Sequence, residues 1–499
     1  MVLASQAQHG MWITEVLHGT GTAYHMPFAM WFDGPLERAA MLAACRAVLA
    51  RHPVLGCAFE ERDGVLHLAP ARELPPVAFV VEPDPEALIA REIARPFELS
   101  AGPLARFTLA EVSPSRHLLL FVAHHLVFDG MSKDLLVRDL AAAYTGAPTP
   151  PLPMPYGAAE KPSPEAAAYW RARWREVSQV VINGATRSPR LAERGETVLL
   201  ALTNDMPDLS GVTRFEVFLA AVHALLHRYG NAGTPVAVAM STRTAETRDD
   251  IGLFATELPV FASFSAEDSF RELALSIRSE LRELNAFRQV PVARAVGGIK
   301  PRAALAPVSI SFRRRAPEQV FPGLKLSVEW KMSSHTVRNA LHLQAVDGDD
   351  GLHLTLHYSP DVIPRRDVEL AGEHLRAVLR AVAADPDIRL ADLPLPAVPQ
   401  IAPEVAPEVA PEAAPDAGPA HDEVDAELVE QVRLIWMEVL RMDHIAPDED
   451  LYDLGGHSLT ITQISARIRK RLGVEVPFDV FLDDPTITGV AAAIGGLRP

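Results

Sequence analysis

Between Pro394 and Pro419 the chain repeats a four-residue pattern, Ala-Pro-Glu-Val at 402–405 and 406–409, then Ala-Pro-Glu-Ala at 410–413. Proline has no amide hydrogen to give a helix or sheet, and like charges repel, so the stretch favours an extended, poorly packing chain. It therefore splits the 499 residues into a large first part and a small last one. At ~3.1 Å per residue it spans on the order of 80 Å when fully extended, so the small part can swing between partners while staying at high local concentration. Charge follows the same division: residues 396–499 hold 19 acidic and 7 basic side chains, −12 of the net −17. Such a chain is a poor partner for nucleic acid. It has no apolar run of about 18 residues to span a membrane. The N-terminus, with Gln6, Gln8, His9 and Gly10, is not a signal peptide. Only Cys45 and Cys57 occur, without zinc spacing, and they fit reduced thiols, so a cytoplasmic protein is expected.

In the large part an apolar run, Leu118 to Ala123, leads into His124-His125-Leu126-Val127-Phe128-Asp129-Gly130. A helical pattern follows from Ser132 to Tyr144, with Leu135, Leu136, Leu140 and Ala143 on one face and Ser132 as N-cap. Imidazole moves protons near neutral pH. Neighbours on a strand point to opposite faces, so one histidine is expected to face a reaction channel and the other to pack. On these residues alone a core histidine pair or half a metal site is the commoner reading. Elsewhere the spacing predicts a helix over 35–51, with Leu36, Ala40, Ala43 and Val48 inward, stopped by Pro53. It predicts a buried helix over 215–229, a strand over 235–240 and a last helix over 368–382. Tyr169, Trp170 and Trp174 are expected on a helix and in the core. Asn339–Val346 and Leu352–Tyr358 form a hairpin pattern, with Gly348 and Gly351 at the turn and His342, His353 and His357 expected on a solvent face. Strands alternating with helices in two halves of similar size point to an α/β fold.

The small part reads as helices. Leu428, Val432, Ile435 and Val439 phase the first, over 424–440. Ser458 opens the next, with Ile461, Ile464, Ile468 and Leu472 inward and Arg467, Lys470 and Arg471 outward. Pro477–Leu482 and Pro485–Ile494 supply two more. A helix start offers free N–H groups and the positive end of the dipole, a fitting seat for a phosphodiester.

Leu454-Gly455-Gly456-His457-Ser458-Leu459 resembles the attachment motif of peptidyl carrier (thiolation) domains. The resemblance covers residues 423–499 and implies that Ser458 carries covalent 4'-phosphopantetheine, installed by a phosphopantetheinyl transferase. His124-His125 with Asp129-Gly130 resembles the HHxxxDG motif of nonribosomal peptide synthetase condensation domains. Ser5-Gln6-Ala7-Gln8, Met11-Trp12, Arg51-His52 with Phe59, Pro96 to Ser100, Gly102 to Arg106, and Ile251 to Phe254 with Leu258-Pro259 match further motifs of that family. Gly10 and Gly56 stand where arginine is usual, and Thr256-Glu257 replaces an Asn-Thr pair, placing a charge in a stretch that lines the channel. His52 is expected to be structural.

The resemblance implies an α/β condensation domain of two chloramphenicol-acetyltransferase-like lobes in a V, 1–178 and 179–395, then a linker, 396–422, and an all-α four-helix carrier, 423–499. It implies an acyltransferase that joins an acyl thioester on an upstream acyl- or peptidyl-carrier protein to an aminoacyl group on Ser458, with no metal. His125 would position the amine or take its proton, with His124 beside it. Gly130 would let the backbone approach the pantetheine arm. Asp129 and Arg243 would pair to fix the turn. With no adenylation domain between 395 and 423, no upstream carrier and no thioesterase in the sequence, the donor and an adenylation domain are expected to act in trans. Three rivals remain: transfer from Ser458 to a soluble amine or alcohol, an inactive recruitment platform, and an epimerisation domain, whose order with its carrier would be reversed. Heterocyclisation, with its DxxxxD pattern, and plant-type acyltransferases, with DFGWG, do not match.

Overall fold

The protein was analysed as a computed structural model. It describes residues 1–394 and 425–497, apart from 19–20, 63, 159–162, 176, 178, 190–193, 203–204, 232, 291, 293–295, 297–303, 331, 333, 335, 349–350, 441, 443, 452–453, 455, 457 and 479. The repeat between Pro394 and Pro419, and with it the expected linker, lies outside the described residues beyond its first proline.

The chain begins with β1 (Val2–Leu3), α1 (Gln6–His18), β2 (His25–Asp33), α2 (Arg38–Arg51), β3 (Cys57–Arg62), β4 (Val65–Pro70), β5 (Val77–Val81) and α3 (Pro85–Ala94). Then come β6 (Ala105–Ser113), β7 (Arg116–His124), α4 (Ser132–Tyr144) and α5 (Pro164–Arg173). The second half holds β8 (Val180–Ile182), β9 (Ala185–Arg187), β10 (Glu196–Ala201), α6 (Arg214–Arg228), β11 (Val236–Ser241), β12 (Ala255–Val260) and α7 (Phe270–Asn285). It continues with β13 (Val308–Arg314), β14 (Lys325–Glu329), β15 (Leu341–Gly348), β16 (Gly351–Tyr358) and α8 (Arg365–Ala384).

Two large mixed sheets organise these elements. One runs β14-β2-β7-β6-β5 and the other β10-β16-β15-β13-β11-β12. β14 comes from the second half of the sequence but pairs antiparallel with β2, from Lys325↔Asp33 to Glu329↔Ala29, closing the edge of the first sheet. Each half buries its own core. Phe28, Phe107, Phe121, Phe128, Leu136 and Leu140 centre the first. Trp170, Phe218, Val238, Leu258, Leu343, Leu354 and Leu379 belong to the second.

Alternation places Leu352, Leu354 and Leu356 in that second core and turns His353, Thr355 and His357 to the other face. That other face is not simply solvated: His357 is 8% exposed, and His342 hydrogen-bonds Ser309 Oγ at 2.7 Å and Ser311 Oγ at 3.2 Å. The solvent-face expectation for His342 and His357 is thus corrected, because the opposing half stands over part of this face. α2 is also rephased. It buries Met41, Ala44, Cys45 and Val48, whereas Ala43 is exposed, because an alanine-rich segment carries too little amphipathic contrast to fix its face.

In the small part, α9 (Ala426–Leu440), α10 (Ser458–Leu472), α11 (Val480–Asp483) and α12 (Ile487–Leu497) close over Leu428, Val432, Ile435, Trp436, Ile461, Ile464, Ile468 and Ile494. This is a four-helix unit, its outer face carrying Arg467 and Arg471 to Glu438 of α9.

Candidate active site and carrier attachment site

β7 ends at His124, and His125–Val127 is a single 3₁₀ turn. Strand alternation therefore does not govern the second histidine. His124 is 1% exposed, its Nδ1 accepts the Leu126 amide at 3.2 Å, and its Nε2 lies 3.6 Å from Glu15 of α1. It packs beside His25, Tyr24 and Phe97.

His125 is held by two backbone groups. Its amide donates to Tyr24 O at 2.8 Å, and its Nδ1 lies 2.8 Å from Phe128 O. A carbonyl only accepts, so Nδ1 carries the proton and Nε2 presents a lone pair. Among the described residues nothing hydrogen-bonds Nε2. Burial, and next the positive charge of Arg338, push the His125 imidazole below its ordinary range, with Asp129 opposing. The ring is neutral at pH 7, the form a proton acceptor needs.

Asp129 is the hub of the turn. Its Oδ1 accepts Ser132 N and Ser132 Oγ, each at 2.8 Å, and Arg243 Nη2 at 3.1 Å. Its Oδ2 accepts Arg243 Nη1 at 2.6 Å and Phe254 N at 3.0 Å. Burial alone would raise this carboxyl, but the Arg243 guanidinium and the Ser132 bonds more than offset it and hold Asp129 below the carboxylate range. Ser132 is the first helical residue rather than the N-cap, which is Met131. The carboxylate of Asp129 does the capping instead. The Asp129–Arg243 pair also ties β7–α4 to the β11–β12 connection, where Gly252 N reaches Ser132 Oγ at 3.2 Å.

Gly130 leaves open space: a Cβ built there meets no atom within 4 Å. Its carbonyl accepts Arg313 Nη1 of β13 at 2.9 Å. The open side fits the close passage of a slender arm past the backbone, which a side chain would obstruct. His52 is buried and bonded to Asp139 Oδ2 at 2.8 Å, a structural role shared with Arg51 at 2.9 Å.

Several residues outside the motif surround the turn. Gln8 of α1 holds Leu126 O at 2.9 Å inside the fold. Arg338, from an irregular segment before β15, lies 3.4 Å from Glu257 and places its guanidinium 5.0 Å from the Tyr24 ring centre. Lys133 is buried, its Nζ 3.3 Å from Trp330 O, and burial followed by Arg313 pushes it down to about 7.

Ser458 is the first residue of α10, so it stands at the N-terminus of a 15-residue helix. Gly455 and His457 lie outside the described residues. α10 rests on the large domain through Arg469, which reaches Glu61 at 2.8 Å. Gly64 is packed so closely on α10 that a Cβ would lie 2.7 Å from Gln463 Cα. Between α1 and α10 is a cleft of about 630 Å³ lined by Trp12, Val16, Thr462, Ala466 and Phe478.

Comparison with known proteins bears on both parts. A family model described as the condensation domain matches residues 1–398, and one described as the phosphopantetheine attachment site matches 430–494. Chondramide synthase cmdD of Chondromyces crocatus is 28% identical over 434 residues, covering 78% of this chain and 11% of that protein. Phosphinothricin tripeptide synthetase PhsC of Streptomyces viridochromogenes is 29% identical over 436 residues, covering 78% of this chain and 40% of its own length. The chain thus spans well under half of either relative. Among solved structures, the X-domain in its complex with OxyB from teicoplanin biosynthesis aligns over 79% of this chain and 95% of that one, at 25% identity and a TM-score of 0.65. The starter condensation domain of rhizomide synthetase aligns over 79% of this chain and 97% of that one, at 19% identity and a TM-score of 0.67, which speaks to the fold alone.

Proposed function

Because the chain belongs to the condensation-domain family, with a phosphopantetheine-bearing carrier domain behind it, we propose that it forms an amide bond in nonribosomal peptide synthesis. The lobes are 1–178 and 179–395, and 423–499 is the carrier. Ser458 is the attachment residue, and its place at a helix N-terminus supports a phosphodiester there. The 4'-phosphopantetheine supplies a flexible thiol arm that presents an aminoacyl group as a thioester.

The observation that carries this reading is the anchored tautomer of His125. With Nδ1–H committed to Phe128 O, the Nε2 lone pair is fixed in direction and free to accept a hydrogen from the acceptor amine. The amine nitrogen attacks the donor thioester carbonyl, a C–N bond forms, the C–S bond breaks, and the thiol leaves with a proton. Asp129 does no proton chemistry, since its five accepted bonds keep it ionised and hold the turn. Much of the acceleration comes from holding both tethered groups in line. The acyl donor arrives on a carrier protein, and an adenylation domain acting in trans loads Ser458.

A recruitment reading gains some support from the X-domain likeness, since that domain was solved bound to OxyB. The committed tautomer and open Nε2 of His125 favour chemistry instead. The test is intact-protein mass after pantetheinylation, aminoacyl loading and addition of an acyl-loaded donor carrier. A gain of the acyl mass, lost in His125→Ala, is the expected result. An identical gain in His125→Ala would remove the histidine from the chemistry, and a loaded chain that never gains acyl mass would favour a soluble acceptor or a silent domain. Ser458→Ala abolishes pantetheinylation, and an arm retained in that variant would overturn the attachment site.

A further inference from the structure

Two segments from opposite halves of the chain meet beside His125. One is the turn ahead of β2, whose Tyr24 carbonyl accepts the His125 amide at 2.8 Å. The other leads from Ser334 through Thr336 to Arg338, ahead of β15. Thr22 Oγ1 donates to Ser334 O at 3.0 Å and shares a hydrogen bond with Thr336 Oγ1 at 2.8 Å. Two residues further along each segment, Arg338 sets its guanidinium 5.0 Å from the Tyr24 ring centre. The second segment is fastened to its own half as well: Asn339 is buried, and its Nδ2 donates to Ala306 O at 2.9 Å. The turn that holds His125 is thus gripped from the other half at Thr22 and again at Tyr24.

Arg338 is itself set by a partner. Its Nη2 donates to Glu257 Oε1 of β12 at 3.4 Å, and the two side chains are 24% and 28% exposed. Both are partly withdrawn from water, where a charge acts more strongly on its neighbours. After burial, the Arg338 charge is the next influence on the His125 imidazole. The other titratable groups around the ring are already committed. Asp129, on the same turn, is bonded to Arg243 of the β11–β12 connection. Arg313 of β13, at the Gly130 carbonyl, is paired with Asp134 of α4. The Tyr24 phenol is raised, chiefly by burial, and stays neutral. His342 of β15, beside Arg338, is pushed down to about 4 by burial and then by Arg338. His124 belongs to a cluster with His25 of β2 and Glu15 of α1.

We propose that Arg338 and Glu257 are a positioning pair for His125: Glu257 aims the guanidinium, which packs on the Tyr24 ring, steadies the carbonyl that holds the His125 amide, and keeps a positive charge beside the imidazole. Neither residue touches the reacting atoms. The charge opposes protonation of the ring, so Nε2 keeps its lone pair, and the clasp fixes the direction in which that lone pair points. The inference rests on the reading of His125 as the acceptor of the amine hydrogen, and it names what keeps that nitrogen open. It also gives the charge at Glu257 a task, in a stretch where the motif otherwise has neutral side chains.

The test reads the ring directly and needs no substrate. Diethyl pyrocarbonate acylates an imidazole through an unprotonated nitrogen, and His125 is partly exposed, so the reagent reaches it. Its rate at His125 is followed by peptide mass on the full-length chain from pH 4.5 to 8. Arg338→Met should move the midpoint of that profile to higher pH, with about threefold or more loss of rate near pH 5.5. Arg338→Lys, which keeps the charge, should recover most of that loss. Glu257→Gln leaves the guanidinium uncompensated and should move the midpoint the other way, with the double variant between the two. Loosened packing alone would shift both single variants in one direction. Equal-signed shifts, or an Arg338→Met profile that follows wild type, would overturn the proposal. If Arg338→Met does not fold, Glu257→Gln decides: a midpoint unmoved or raised there would also overturn it. Amide formation does not enter the readout, so opposite shifts in a chain that condenses nothing would uphold the pair and remove the condensation reading.

Discussion

Removing the guanidinium from the buried pair is the sharpest perturbation the structure offers. Asp129 and Arg243 side chains are 1% and 5% exposed. Arg243→Met takes away the 2.6 Å and 3.1 Å bonds to the two carboxylate oxygens. The carboxylate is left buried with Ser132 N, Ser132 Oγ and Phe254 N as its donors among the described residues. Breaking one side of such a pair costs about 3–5 kcal/mol, because the surviving charge is stranded. Asp129→Asn with Arg243→Met removes both charges together, so its cost should fall well below the sum of the single variants. The assay is urea unfolding followed by hydrogen exchange in β6 and β7, which keeps carrier unfolding out of the signal. The pH dependence should change sign. In wild type the folded carboxyl lies below its unfolded value, so its contribution is present above about pH 4 and is lost as pH falls through the folded value. In Arg243→Met burial dominates and raises the carboxyl, so the folded state takes up protons first and the deficit shrinks as pH falls below neutrality. Amide formation should drop about 100-fold at pH 7, since the turn carrying His125 shifts. A stability cost under about 1 kcal/mol, or strict additivity in the double variant, would refute the role given to this pair.

Three further predictions follow from the same geometry. Gln8→Ala should destabilise the large domain by about 1–3 kcal/mol and lower amide formation, since it strands the buried Leu126 carbonyl, and thermal melting with single-turnover rates checks both. Burial holds His25 down to about 4 and His223 to about 3, so both fold neutral. The unfolded chain then binds more protons below about pH 6.5, and urea midpoints should fall steadily from pH 6.5 to 4, whereas a flat profile would contradict neutral burial. Glu61→Arg should weaken contact of the carrier with α1, and adding Arg469→Glu should restore it. Hydrogen exchange over residues 6–18 reads this, and the effect should be modest because Arg469 is 47% exposed.

The sequence made the elements legible wherever periodicity was strong. The helix after the motif, the 368–382 helix and the 458–472 helix have sharp apolar stripes, and the structure places helices at all three. It misled where the local signal was weak or the deciding contact was distant. Alanine-rich α2 gave no contrast to phase it. Ser132 looked like a cap, but a carboxylate three residues earlier takes that role once Arg243 keeps it ionised. His342 and His357 alternate correctly with the core leucines, yet alternation cannot say what stands over the other face. The partners of the motif were mostly invisible. Tyr24 holds the His125 amide through its carbonyl, which any residue could supply, Arg338 lies in an irregular segment, and β14 crosses to the other sheet, so none leaves a local pattern.

Those distant partners also show where this chain spends its rigidity. The His125–Gly130 turn is held from α1 by Gln8, from the turn before β2 by Tyr24, from the β11–β12 connection by Arg243, and from β13 by Arg313. Each tie comes from a different segment of the chain, so the turn does not depend on any one of them alone. The attachment helix is fastened differently: a half-exposed ion pair and a close Gly64 contact hold it to the large domain, and its covalent tether is a proline-rich repeat. A surface pair of this kind contributes at most about 1 kcal/mol, roughly a fivefold bias between docked and undocked carrier. Under the proposed function, in which a loaded arm is accepted, held against His125 and then released, that contrast is what the cycle requires. It follows that strengthening the carrier contact, for instance by bridging Glu61→Cys and Arg469→Cys with a bis-maleimide long enough to span the two former side chains, should raise the first-turnover rate and depress the steady-state rate. Equal changes in both would mean that release of the carrier does not limit the cycle.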